Sequence, residues 1–158
     1  EVSQPDHAWV DVDGAAGTRA AVEHLQEAGH TDIAYIGWPA GSGVGDDRRA
    51  GWLRAMRAAG VPQHRLDALD VATEDGIPEG AAVARRLLER VRPTAFVCVS
   101  DSLALGALAA LRSGGDLVTS APAQAAVVGF DDTPVARAVG LSSVAQPLTE
   151  AAGRALDL

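Results

Sequence analysis

A length of 158 residues, 47% of them hydrophobic, is that of one domain with enough apolar material for a sizeable core, which excludes a disordered polymer. A formal net charge of −8, with arginine supplying all 13 basic residues, excludes a chain that holds nucleic acid or membrane surfaces by nonspecific attraction. The one cysteine, Cys98, excludes an internal disulfide, and no run is long and apolar enough to span a bilayer.

The first residues are polar and carry no apolar leader segment, so a cytoplasmic setting is expected, and the absence of Met marks Glu1 as no natural start. Residues 8–13 read as a short strand-like lead-in. Asp13 or Gly14 is placed to cap a helix running to Ala28, with Gly29 as its stop and Ala20, Ala21, Leu25 and Ala28 on its apolar face. Residues 33–37 form a short buried strand, followed by a Gly- and Pro-rich loop over 38–45. Asp46 or Asp47 caps the next helix, which runs through Ala59 and ends at Gly60 and Pro62, with Trp52, Met56 and Ala59 on one stripe.

Residues 66–71 read as a weaker strand and 72–78 as loop. A helix over 79–91 turns Val83, Leu87 and Leu88 inward. A strand over 94–100 leads into a helix over 102–112, and 113–123 is a connector. A strand over 125–130, a short helix over 134–139, an extended piece over 142–145 and a helix over 148–156 complete the chain. Strand and helix alternate nearly throughout, with no internal repeat. That pattern predicts an α/β fold with a doubly wound parallel sheet and right-handed crossovers.

In a parallel sheet every loop that follows a strand emerges at one edge, where open α/β folds bind ligands. The loops 38–47, 72–78, 100–102 and 131–134 are therefore expected to converge. They bring Arg48, Asp75, Ser100, Asp101, Asp131 and Asp132 towards one cleft. A planar guanidinium fork and carboxylate acceptors suit a ligand with several hydroxyls, such as a sugar. Each of these residues can equally be a helix cap or a surface charge. Of Asp131 and Asp132, one is expected in the cleft and the other at the cap of the helix over 134–139.

Other chemistries fit poorly. The glycines at 37, 41, 43 and 45 lack the dinucleotide-binding spacing, no lysine is present for a phosphate loop, and Asp46 and Asp47 oppose an anion at the helix start. His7, His24, His30 and His64 lack metal-ligand spacing, so no metal or other cofactor is expected. Ser100-Asp101 has no histidine in a predictable partner position and no Gly-x-Ser-x-Gly elbow, so no catalytic residue is assigned and an enzyme is not expected.

Several ordered blocks carry a more specific signal. They are Val12-Asp13-Gly14 with Gly17, Leu25 and Gly29 to Gly37; Arg48 with Gly51 and Trp52; Pro93 to Phe96; Ser100-Asp101 with Ala104 to Gly106; Val127 to Asp132; and Leu141 with Val144 and Gln146 to Leu148. Together, over 12–148, they resemble the effector domain of lactose/galactose-repressor (LacI/GalR) transcription regulators. The resemblance implies a type I periplasmic-binding-protein-like fold with two lobes around a cleft. Residues 1–11 would then lead in from the amino-proximal lobe, 12–145 form the carboxyl-proximal lobe, and 146–158 begin the return crossover. The helix-turn-helix headpiece and the first half of the amino-proximal lobe have no counterpart here.

By the same resemblance, Arg48 falls at the ligand-clamping arginine, Asp131 at the acid that accepts from ligand hydroxyls, and Gln146 at the cleft rim near the crossover. Ser100 stands where the family usually has asparagine, so a different ligand or an added water is implied. Gly14 replaces a common asparagine. Asp13, Asp101 and Asp132 are expected as caps or lobe-orienting groups, and Leu105 and Leu108 at a homodimer interface. The implied partners are a small-molecule effector, a sugar, and operator DNA through the headpiece alone. The alternative is an extracytoplasmic sugar-binding protein of a transport system, which shares the fold.

Overall fold

The computed structural model describes residues 10–113 and 125–157. Seven helices and five strands are present among them: α1 (Gly14–Glu27), β1 (Ile33–Gly37), α2 (Val44–Ala58), α3 (Gln63–Leu69), β2 (Asp70–Ala72), α4 (Ile77–Arg90), β3 (Ala95–Cys98), α5 (Asp101–Ser113), β4 (Ala126–Phe130), α6 (Pro134–Val139), β5 (Ser142–Val144) and α7 (Leu148–Leu156). No described helix is long and apolar enough to cross a membrane.

The strands pair in parallel in the order β2-β1-β3-β4-β5. Ile36 lies opposite Cys98, Val97 opposite Val128, and Phe130 opposite Val144. From β1 the chain moves outward to β2, then returns across β1 to β3 and continues the other way. That reversal opens a crevice at the carboxyl ends of β1 and β3, the usual binding position of such sheets.

Strands β1 and β3 are buried along their whole length, as a sheet covered on both faces requires. Helix α1 packs on α2, and α4 packs on α5. Glycine makes both contacts close: a Cβ on Gly51 would lie 2.2 Å from the Ala15 carbonyl oxygen, and one on Gly106 would lie 2.2 Å from that of Ile77. Trp52 is fully buried, stacks on Tyr35 at 5.7 Å between centroids, and donates its indole N–H to the Ile33 carbonyl at 3.1 Å. That bond satisfies the one polar atom the residue takes into the core.

Several expected elements differ. Residues 66–71 are mostly helix, not strand: Pro62 caps α3, Leu66 and Leu69 bury one helical face, and only Asp70–Ala72 joins the sheet. Helix α2 starts at Val44 behind Gly43, so neither Asp46 nor Asp47 is its cap. Their carboxylates accept instead from the Gly41 N–H and, across the helix pair, from the Ala15 N–H at the start of α1. Ala20, Ala28 and Ala59 are exposed, and Val22 and Ala55 fill the inward positions. Strand β3 stops at Cys98, and α5 takes Asp101 into its first turn. Residues 10–13 have no regular structure, and the rest of the lead-in and most of the 113–123 connector lie outside the described residues.

Candidate functional site

Arg48 sits in the first turns of α2, directly after the loop from β1, with only 5% of its side chain exposed. Its Nη1 donates to the Val99 carbonyl at 2.6 Å, just beyond β3, so the guanidinium bridges the crevice where the strand order reverses. Its Nη2 lies 3.3 Å from Asp131 Oδ1, beyond β4. The guanidinium carbon stands 3.7 Å from the centroid of Phe130, a cation–π contact that partly replaces lost hydration. Arg48 Nε is buried without a hydrogen-bond partner. Such orphaned donors are costly and uncommon, and this one belongs to the charged group at the centre of the crevice.

Asp131 is held from two sides. Gln146 donates its amide N–H to Asp131 Oδ1 at 2.6 Å, and Arg48 approaches the same oxygen. Burial pushes the Asp131 carboxyl above its ordinary value, against the opposing pull of Arg48 and the Gln146 hydrogen bond. The backbone at Asp131 and Asp132 is strained, with φ of 102° and 52°. Residues other than glycine visit that region at a cost, so the surrounding structure must enforce it.

Three consecutive N–H groups do so. Asp131 N–H donates to the Val144 carbonyl at 2.9 Å, Asp132 N–H to Ser143 Oγ at 2.9 Å, and Thr133 N–H to Asp101 Oδ2 at 2.7 Å. The Ser143 hydroxyl in turn donates to Asp101 Oδ1 at 2.6 Å. Asp101 is 2% exposed and spends both oxygens on this turn. A Cβ at residue 129 would reach within 2.3 Å of Asp101 Oδ1, so only glycine lets β4 pass that carboxylate. Asp101 is thus an anchor for the turn that presents Asp131.

Asp132 does not cap α6. Thr133 does, accepting from the Ala136 N–H, while Asp132 pairs with Arg137 at the surface. The Arg137 hydrogen bond holds the Asp132 carboxyl below its ordinary value. Asp13 is the cap of α1, accepting from the Ala16 N–H at 2.7 Å.

Asp75 and Ser100 form a second group beside the first. The Ser100 hydroxyl donates to Asp75 Oδ1 at 2.5 Å, and the Trp38 indole N–H donates to the same oxygen at 2.9 Å. The loops after β1, β2 and β3 are tied together by that carboxylate. Trp38 also faces Arg48, 5.8 Å from its ring centroid. Trp38, Phe130, Ser143 and the Val99 carbonyl are the site members that sequence reasoning missed. The one available signal was a tryptophan placed in a Gly- and Pro-rich loop immediately after a buried strand. Leu105 and Leu108 are half-buried on α5 and packed against the core.

Comparisons with known proteins find relatives of this chain and of its fold. A family model described as "Periplasmic binding protein-like domain" matches residues 22–158. The chain is 38% identical over 144 residues to the HTH-type transcriptional regulator DegA of Bacillus subtilis, covering 89% of this chain and 41% of that protein. It is 37% identical over 157 residues to the regulator CelR of Thermobifida fusca, covering 97% and 44%. Among solved structures, a LacI-family regulatory protein from Chloroflexus aggregans superposes with a TM-score of 0.80 at 39% identity, covering 96% of this chain and 54% of that one. A CelR–cellobiose complex superposes with a TM-score of 0.79 at 34% identity, covering 92% and 44%. The chain therefore spans less than half the length of these two curated relatives.

Proposed function

We propose, for a chain that belongs to the LacI/GalR family of transcriptional regulators and carries its periplasmic-binding-protein-like domain, that it is the effector-sensing lobe of a sugar-responsive regulator of transcription. The observation that carries this reading is the buried Arg48, tied to Val99 and Asp131 across three loops at the sheet's reversal point. Its relatives are regulators of transcription, which favours this assignment over a transport protein.

In mechanism, ligand hydroxyls would be clamped between this lobe and an opposing one. Arg48 and Gln146 are placed to donate, and Asp131 to accept. Contacts made only when the lobes are closed give the effector a different affinity for the two arrangements, and that difference biases operator binding through a headpiece elsewhere in the protein. Helix α7 leaves the carboxyl edge with no buried residue and with Leu148 61% exposed, which supports its role as a crossover packing on the other lobe.

The protein is proposed to act in the cytoplasm as a homodimer. Half-buried Leu105 and Leu108 on α5, together with exposed Ile77 at the start of α4, which packs on α5, supply apolar surface for a second copy. Replacing Arg48 with alanine in the full-length protein tests the effector assignment. Operator binding should survive while the response to effector disappears, and an unchanged response would refute the assignment.

A further inference from the structure

Asp75 and Asp131, on opposite sides of the crevice, share one arrangement. In each, Oδ1 accepts from two donors: Trp38 and Ser100 at Asp75, Gln146 and Arg48 at Asp131. In each, Oδ2 has no partner among the described residues. A carboxylate oxygen only accepts, so two such oxygens call for a ligand with several donors. Among the described residues the cation between them, Arg48, is already engaged by Asp131, the Val99 carbonyl and the face of Phe130. The polar groups of the crevice therefore sum to a negative charge, which opposes an anionic ligand.

Trp38 supplies the remaining character. Its indole is half-buried and fixed at two edges: the N–H is held by Asp75 at 2.9 Å, and the Cε3 edge lies against α2, where a Cβ on Gly45 would be 3.1 Å away. A rigid aromatic plane beside hydrogen-bond acceptors binds the C–H face of a ring while the acceptors take its hydroxyls. Ser100 matters here through its small size and its hydroxyl, which closes the Asp75 contact that holds the indole.

Resting on the proposed effector site, we infer that Trp38, positioned by Asp75 and Ser100, is the specificity-determining wall of that site and selects an uncharged pyranose over phosphorylated sugars and nucleobases. Binding is measured on the full-length protein by calorimetry with glucose, galactose, cellobiose, glucose 6-phosphate and hypoxanthine as probes. At least one neutral sugar is expected to bind at least tenfold more tightly than glucose 6-phosphate or hypoxanthine. For that sugar, Trp38→Ala should weaken binding roughly tenfold or more, and Trp38→Phe by only a few-fold, because the flat apolar face is kept.

Thermal melts of both variants establish that they fold. Preferred binding of the phosphorylated sugar or of hypoxanthine, failure of all three neutral sugars to bind, or equal affinity of Trp38→Ala and the parent would each overturn the inference. If Arg48→Ala loses sugar binding while Trp38→Ala keeps it, the inference fails and the proposed function stands. If sugar binding survives in both variants, the effector site itself is misplaced.

Discussion

Removing the Asp101 carboxylate tests how the turn that presents Asp131 is held. In Asp101→Ala the Thr133 N–H and the Ser143 hydroxyl lose their acceptors, at present 2.7 and 2.6 Å away. Leaving a buried donor unpaired costs about 1–3 kcal/mol, so the two together cost about 2–6 kcal/mol. For a domain of this size each kcal/mol lowers Tm by about 2–4 °C, giving a loss of about 4–24 °C. The strained backbone at Asp131 and Asp132 would also relax, moving the acceptor oxygen that the crevice presents. Asp101→Asn should fall between, because its amide oxygen can accept one bond while its NH₂ faces a donor. Asp132→Asn serves as the comparison: it removes a surface pair with Arg137, whose side chain is 69% exposed, and should scarcely move Tm. Thermal unfolding followed by circular dichroism reads all three. Equal losses for Asp101→Ala and Asp132→Asn would refute the assignment of Asp101 as the anchor.

Two further expectations follow from the packing and one charged group. Gly51→Ala places a methyl 2.2 Å from a backbone oxygen of α1 and should destabilise by about 2 kcal/mol, whereas Gly153→Ala, with nothing within 4 Å, should stabilise by about 0.5–1 kcal/mol; urea midpoints distinguish them. Because burial raises the Asp131 carboxyl in the folded state, the folded chain keeps a proton that the unfolded chain has lost just above the ordinary carboxylate value. Stability should therefore fall as pH rises through the window between the two values and level off above it, a contribution that Asp131→Asn removes. A contribution of the opposite sign in the difference between their urea midpoints, measured from about pH 4 to 7, would show that Arg48 and Gln146 outweigh burial.

Much of the fold was legible in the chain because local pattern and tertiary burial agree. The apolar runs at 33–37, 95–98 and 126–130 are short enough, and bounded closely enough by turn residues, to read as strands, and Asp13, Gly29 and Pro134 punctuate helices by rules that need no distant partner. The loops were expected to converge because a parallel sheet sends every strand end to one edge, and Arg48, Asp75, Ser100, Asp131 and Gln146 do meet there. Residues 66–69, Leu-Asp-Ala-Leu, are helix where a strand was expected, because so short a mostly apolar span fits a strand and one helical turn alike; the helix begins behind Pro62 and buries Leu66 and Leu69, three residues apart.

The sequence by itself determined the alternating architecture, the parallel sheet and the residue types gathered at its edge, since these depend on periodicity and chain connectivity. Only the tertiary structure decided how the acids divide their work. Asp101 is spent on two donors, from the turn after β4 and from β5, Asp132 turns out to the surface, Asp131 is kept for the crevice, and Asp75 is joined to Trp38. A carboxylate's role is set by which donors reach it and how deeply it is buried, and those donors come from segments up to 42 residues away in the chain.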